Sequence, residues 1–158
     1  MIIKQYRQQF GILTRALDSS QLGLSIVKNM NQMVQKHRGL NPIVFYSEYY
    51  QPVATPLFAM MQDVEMWSYP YTVISTDIAS TFKLNQAPIP KRKIFYVHDL
   101  EWLYLHQRNY DQLVHVYNND EIELVARSQS HAQLLTECWK EPIAIVKDFN
   151  YEDLMKIL

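Results

Sequence analysis

A histidine and two carboxylates directly follow a strongly apolar stretch of the chain. The run Ile94–Val97 leads into His98, Asp99, Leu100 and Glu101. An imidazole exchanges a proton near neutral pH, and a neighbouring carboxylate can orient it or hold a ligand hydroxyl. We therefore predict a catalytic role for His98 and Asp99 and a binding role for Glu101. The structural alternative is that Asp99 caps the next helix and His98 is a packing residue.

Polar residues also lie at the ends of two other apolar runs. Ser75 and Thr76 end one run, and Arg127 and Ser128 follow another. If these runs are parallel strands, their carboxyl ends meet at one edge of the sheet, where open α/β sheets bind ligands. All four residues then become binding residues beside His98. Short hydroxyl residues are equally typical of helix caps, which is the competing interpretation.

The composition argues against several kinds of site. The chain has only three glycines, so it lacks the glycine-rich loops that hold phosphates, which counts against a flavodoxin-like nucleotide-binding regulator. Its five histidines and the single Cys138 fall at no metal-ligand spacing. We therefore predict no metal and no resident cofactor.

Charge and hydropathy bear on partners and location. The net charge of −1 argues against nucleic acid as a partner. No apolar run approaches the roughly 20 residues of a membrane span, and the first residues lack a signal-peptide pattern. We therefore expect a cytoplasmic protein that binds no membrane.

Short apolar runs recur along the chain and predict the strands of a sheet. Each run is apolar at consecutive positions rather than at alternate ones, as in parallel strands that helices cover on both faces. The predicted strands are Phe10–Leu13, Ile43–Tyr46, Thr72–Ser75, Ile94–Val97, Ile122–Ala126 and Ile143–Val146.

Helical patterns lie between these runs. The predicted helices are Leu22–Val34, Leu57–Trp67, a helix capped by Ser128 or Ser130, and a short last helix capped by Asn150. Alternating strands and helices predict a parallel sheet with right-handed crossovers. We therefore predict one α/β domain over residues 1–158, with a Rossmann-like, mainly parallel sheet and helices on both faces.

Four stretches resemble the N-terminal domain of GT-B-type glycosyltransferases. They are Phe58–Tyr69, Val73–Thr76, Ile94–Trp102 with its distinctive VHDLEW sequence, and Glu123–His131, which is similar to the last strand-to-helix turn of that domain. The likeness runs from about Phe10 to the C-terminus. It is nearest to small glycosyltransferase-like proteins encoded by large tailed phages.

The resemblance implies one half of the GT-B fold, with a sugar or glycosyl acceptor bound near His98. In the family, a second domain binds the nucleotide sugar, and Ile143–Leu154 resembles the passage into it. The glutamate pair of that domain, eight positions apart, is not found in this sequence. Glycosyl transfer would then need a donor site from a second chain, in the host cytoplasm if the protein is phage-encoded. The alternative is a non-enzymatic module that binds a host or phage partner.

Aromatic residues predict a partner surface. In a two-domain enzyme of this type, Tyr46, Tyr49, Tyr50 and Trp102 would lie near the cleft that the donor domain closes. Exposed apolar patches tend to mark partner sites. We therefore expect a homodimer, or a complex with a separate donor-domain chain.

Overall fold

Seven strands form one sheet in the computed structural model, which describes residues 9–104 and 109–158. The strands are β1 (Gln9–Thr14), β2 (Asn41–Tyr46), β3 (Ala59–Gln62), β4 (Thr72–Ser75), β5 (Arg92–Val97), β6 (Ile122–Ala126) and β7 (Ala144–Ile145). Their order is β3-β2-β1-β4-β5-β6-β7, and every neighbouring pair is parallel. The predicted α/β, Rossmann-like class is confirmed.

Helices connect the strands. They are α1 (Gln21–Lys36), α2 (Ile78–Gln86), α3 (Tyr110–Tyr117), α4 (Gln129–Cys138) and α5 (Tyr151–Ile157), with 3-10 turns at Asp63–Ser68, Glu101–Leu103 and Lys147–Phe149. Four of the helices begin at a side chain that accepts a first-turn N–H, namely Ser20, Asp77, Ser128 and Asn150. The predicted caps of α4 (as Ser128) and of α5 are therefore confirmed. None of the helices in the described ranges is long and apolar enough to cross a membrane.

Strand β5 shows why the strands are apolar at consecutive positions. Ile94 and Tyr96 belong to a core that includes buried residues of α1 and α5. Phe95 and Val97 belong to a second core, with buried residues of α2, α3 and α4. Successive side chains of a strand point to opposite faces, so a sheet covered on both faces needs apolar residues at every position.

The order of the strands reverses between β1 and β4. From β1 the chain builds outwards through β2 to β3, and it then returns to the other side of β1 to build β4 to β7. Connections on either side of such a switch point diverge and leave a crevice at the carboxyl ends of the strands. Strands β5 and β6 lie one and two places beyond β4, on the β7 side of this switch point.

The predicted helix over Leu57–Trp67 is wrong. Residues Ala59–Gln62 pair with β2 as the edge strand β3, and a 3-10 turn follows. The helical spacing of apolar residues marks no buried face here, because Met61, Val64 and Trp67 are exposed. The main chain of these residues pairs instead with the edge of β2. At the opposite edge, β7 is shorter than predicted and comprises Ala144–Ile145.

Candidate functional site

The register of β5 and β6 brings two predicted site residues together. Val97 pairs with Ala126, so the next residues, His98 and Arg127, leave the sheet side by side. A guanidinium nitrogen of Arg127 lies 3.4 Å from His98 Nε2. The sequence prediction that these residues are neighbours is therefore confirmed, although they are 29 positions apart.

Arg127 is the centre of the polar cluster at this edge. Its side chain is about three-quarters buried, and its guanidinium lies 4.0 Å from an Asp99 carboxylate oxygen and 3.5 Å from one of Asp148. These distances are long for charge-assisted hydrogen bonds, which are typically about 2.7–2.9 Å. The guanidinium therefore retains donor capacity for a ligand.

His98 lies beneath the surface of the cluster. Only 5% of the residue is exposed, and its Nδ1 is buried with no hydrogen-bond partner in the part of the chain that the structure describes. Burial, and then the positive charge of Arg127, lower the pKa of His98 below its ordinary value. The imidazole is therefore neutral at neutral pH, with Nε2 directed to the guanidinium.

Asp99 is exposed and does not cap a helix. The 3-10 turn after it begins at Leu100 without a side-chain cap, so the structural alternative for Asp99 is wrong. Two-thirds of its side chain is accessible to solvent. An exposed carboxylate beside a guanidinium can accept hydrogen bonds from ligand hydroxyls.

Ser75 and Thr76 lie deeper than their place in the sequence suggests. Ser75 pairs with Phe95, two residues before the end of β5, and both Ser75 and Thr76 are buried. The Ser75 hydroxyl is 2.7 Å from that of Thr81 and donates to the carbonyl of Ile94 at 3.2 Å. The hydroxyl of Thr76 is directed to a main-chain carbonyl of β1. The structure thus places both hydroxyls within the protein interior, linking β4 to its neighbours.

Ser128 is the cap of α4. Its hydroxyl accepts the His131 N–H at 3.2 Å and lies 3.0 Å from the Ser130 hydroxyl. The capping interpretation of Ser128 is therefore confirmed, and its binding role stays a prediction.

Glu101 lies at the start of α2. One carboxylate oxygen accepts the Ile78 N–H at 3.1 Å, and Asp77 caps the same helix. Burial, and then the charge of Asp77, raise the pKa of Glu101 to about 7. With a pKa of about 7, Glu101 can exchange a proton near neutral pH.

A loop that sequence reasoning missed completes the cluster. Lys147 and Asp148 line a pocket of about 650 Å³ together with Gln21, Arg127, Ser128 and His131. Asp148 and Phe149 have φ values of 47° and 57°, in the left-handed region. Asp148 is a weak sequence signal for this turn, because Asp tolerates that region better than most side chains do, whereas Phe149 gives no such signal.

Two buried side chains hold the loop in this conformation. The Tyr96 hydroxyl donates to the carbonyl of Val146 at 2.9 Å and accepts the Phe149 N–H at 3.1 Å. The Asn29 amide donates to the carbonyl of Asp148 at 3.2 Å. Left-handed residues of this kind persist where surrounding contacts fix them, and they cluster at functional sites.

A second polar cluster lies at the carboxyl ends of β1, β2 and β3. Arg15 pairs with Glu48 at 3.0 Å. Lys83 donates to Asp63 at 2.7 Å and to Ser47 at 3.1 Å. Unlike the guanidinium of Arg127, the cations of this cluster have carboxylate partners at close range.

No group of three or more His, Cys, Asp and Glu side chains within residues 9–104 and 109–158 is arranged to hold a metal ion. The chain matches no family model, no curated protein and no solved structure. What the molecule shows is an α/β, Rossmann-like sheet whose carboxyl edge carries a cluster of His98, Asp99, Arg127 and Asp148.

Proposed function

We propose that the chain is a glycosyltransferase-like protein, equivalent to the acceptor-side half of the GT-B fold, that binds a sugar or glycosyl acceptor at the carboxyl ends of β5 and β6. The observation that supports it best is the cluster around Arg127: Arg127 and Asp148 line a pocket of about 650 Å³, and His98 and Asp99 lie beside the Arg127 guanidinium. A pocket of this size lies within the range of small-molecule sites, about 300–1,000 Å³.

The chemistry of the cluster suits a polyhydroxylated ligand. Each sugar hydroxyl donates one hydrogen bond and accepts others, so its site needs both kinds of partner. Asp99 and Asp148 offer partly exposed carboxylate oxygens, and Arg127 offers N–H donors between them. The VHDLEW resemblance concerns the same strand end, because it includes His98 and Asp99.

Transfer of a sugar would require a partner. The resemblance concerns the acceptor half of the family, whose second domain carries the nucleotide-sugar site, and we propose a second copy or a separate donor-domain chain as the source of that site. Within that assembly, His98 is the candidate base. Burial, and then the positive charge of Arg127, lower its pKa, so a ligand that neutralises Arg127 would raise the proton affinity of His98. A phage origin and a location in the host cytoplasm belong to the same proposal.

Titration calorimetry with a panel of sugars, glycosides and nucleotide sugars tests the binding step. We expect a bound sugar to lose about tenfold or more in affinity in R127A, because hydrogen bonds to charged groups contribute about 1.5–3 kcal/mol. H98A and D99N should also weaken binding while the fold is retained by circular dichroism. The matched control is R15A, which removes a guanidinium from the same edge but outside the cluster.

Two outcomes would contradict the proposal. One is the absence of any binding across the panel, both for the chain alone and in the presence of a donor-domain partner. The other is sugar binding that R127A, H98A and D99N leave unchanged.

A non-enzymatic binding module is the second candidate, and the burial of His98 favours it. A base must reach the proton it removes, whereas His98 is only 5% exposed and its Nε2 is directed to Arg127. In this alternative the same cluster binds a partner or a sugar without chemistry. Transfer of labelled sugar from a nucleotide sugar, by the chain together with its partner, would decide against the binding module.

A further inference from the structure

We propose that the pocket beside Arg127 binds a phosphate group, so that the ligand of the carboxyl edge is a phosphorylated sugar rather than a neutral one. The sugar part of this inference rests on the proposed function. The phosphate part rests on the pocket itself.

The hydrogen bonding of Arg127 is the first support. A guanidinium has five N–H donors, yet in the part of the chain described here that of Arg127 makes one hydrogen bond, the 3.4 Å contact with His98 Nε2. Asp148 and Asp99 remain at 3.5 and 4.0 Å. A largely buried guanidinium with unused donors suits the bidentate geometry of a phosphate.

Lys147 supplies a second positive charge among the residues that line the pocket. It lines the pocket next to Asp148 and forms no salt bridge with any residue that the structure describes. The main chain around it is fixed by the hydroxyl of Tyr96 and the amide of Asn29. We therefore assign the Lys147 ammonium as a second partner for a phosphate that Arg127 binds in the same pocket.

The backbone adds to the positive potential. Gln21 is the first residue of α1, and Ser128 caps α4, so two helix N-termini border the pocket. Unpaired N–H groups and the helix dipole favour anions at such ends. This contribution supports the two side-chain charges and would not define a site without them.

Asp148 is the carboxylate among the residues that line the pocket, and it competes with an incoming phosphate for Arg127. Its side chain is about half exposed, so it can turn to solvent when a phosphate binds. Removal of its charge should therefore strengthen phosphate binding. A variant that only damages the pocket would instead weaken phosphate binding.

The test is calorimetry on the full chain with inorganic phosphate, with neutral glucose, galactose and mannose, and with the 1-phosphate esters of these sugars. We expect at least one ester to bind about tenfold or more tightly than its neutral sugar, the scale of a charge-assisted hydrogen bond. Affinity for the ester should fall with added salt, because screening weakens exposed charge pairs.

Three variants and one control sharpen the test. R127A should lose about tenfold or more in ester affinity, and K147A should lose less, because lysine offers a point charge without a bidentate fork. D148N should gain several-fold, and asparagine tolerates the left-handed backbone at this position. R15A should bind like the parent.

Each outcome decides something. Esters and neutral sugars that bind equally well, with R127A weakening both, would overturn the phosphate inference and leave the proposed function standing. No binding by any of these compounds would overturn the phosphate inference, and the proposed function would fall with it only if the wider panel of glycosides and nucleotide sugars, with and without a donor-domain partner, also showed no binding. Phosphate binding that is equal in R127A and the parent, or weaker in D148N, would show an adventitious ion only. If R127A does not fold, the gain in D148N and the loss in K147A decide.

Discussion

Glu101 accepts a hydrogen bond at the N-terminus of α2, which the carboxylate of Asp77 already caps. Asp77 accepts the N–H and the hydroxyl of Ser80, while Glu101 accepts the N–H of Ile78. A single carboxylate at this position would be stabilised by the helix dipole. Here burial of the carboxylate, and then repulsion from Asp77, raise the pKa of Glu101 from 4.5 to about 7.

We predict that E101Q is more stable than the parent above pH 7 and that the difference disappears near pH 5. The folded state binds the Glu101 proton more tightly than the unfolded state, so this stabilising contribution is present below about pH 4.5 and is lost as the pH rises through about 7. Glutamine keeps an acceptor for the Ile78 N–H without the charge. The expected gain at pH 8 is about 1–3 kcal/mol, since each pKa unit corresponds to about 1.4 kcal/mol.

Urea unfolding at pH 5, 6, 7 and 8 measures this difference. The control is E137Q, which removes an exposed carboxylate from α4 and should show a difference from the parent that does not grow in the same pH range. A constant difference between E101Q and the parent from pH 5 to pH 8 would contradict the prediction.

The turn after β7 is held by a side chain from the middle of the sheet. Tyr96 is fully buried in β5, and its hydroxyl bonds main-chain groups on both sides of the two left-handed residues. Phe149 packs edge-on against the Tyr96 ring, with centroids 4.9 Å apart. One tyrosine therefore fixes both the backbone and the packing of a wall of the candidate site.

We predict that Y96F destabilises the fold by about 1–3 kcal/mol, because it leaves the buried carbonyl of Val146 and the N–H of Phe149 without a partner. Chemical denaturation measures this loss. Y69F is the matched control, because the hydroxyl of Tyr69 is also buried but has no partner in residues 9–104 and 109–158. Y69F should be neutral or slightly stabilising, and equal effects of the two variants would show that the hydroxyl of Tyr96 contributes nothing specific.

At the scale of the whole molecule, the predicted aromatic surface divides into two parts. Tyr49 and Tyr50 are 68% and 50% exposed beyond the end of β2. Trp102 packs against Tyr117 and Trp139, with ring centroids 5.0 and 6.1 Å away. The exposed tyrosines therefore remain candidates for a partner surface, whereas Trp102 belongs largely to the core around α3 and α4.

We predict that the chain self-associates through the tyrosines beyond β2. Sedimentation velocity at rising concentration should show a dimer, and the double variant Y49S/Y50S should weaken it about tenfold or more, since aromatic residues often dominate interface energetics. Y104S removes an exposed tyrosine elsewhere and should leave association unchanged. A parent chain that stays monomeric at high micromolar concentration would contradict self-association.

Apolar patterning predicts much of this fold, because a strand that is buried on both faces has apolar residues at consecutive positions. Five of the strands, β1, β2, β4, β5 and β6, contain the apolar runs that predicted them. Strand β3 is not predicted, because the side chains of this edge strand are largely exposed and it needs no continuous apolar run. Its methionines also fit a helical period. The pairing of β3 depends on which strands become neighbours, and helices α2 and α3 are not among the predicted helices.

The same limit applies to the candidate site. The sequence predicts that His98 and Arg127 are neighbours if the strands before them end together. The register of β5 and β6 shows that they do. The burial of Ser75 depends on β4 being offset from β5, and periodicity does not reveal an offset. Asp148 reaches Arg127 through a turn fixed by Tyr96 and Asn29. These two residues are distant in sequence and carry no local signal for that turn.

The contacts of Asn29 also bear on how the chain is made. This side chain bonds the carbonyl of Asp148 and the N–H of Tyr151, across 119 and 122 positions of sequence. The core beneath α1 likewise includes Phe149 and Leu154. During synthesis, α1 and the first strands therefore leave the ribosome long before the residues that cover them. We expect the nascent chain to depend on chaperones until residues 149–154 emerge, because partly folded chains with exposed apolar surface aggregate readily.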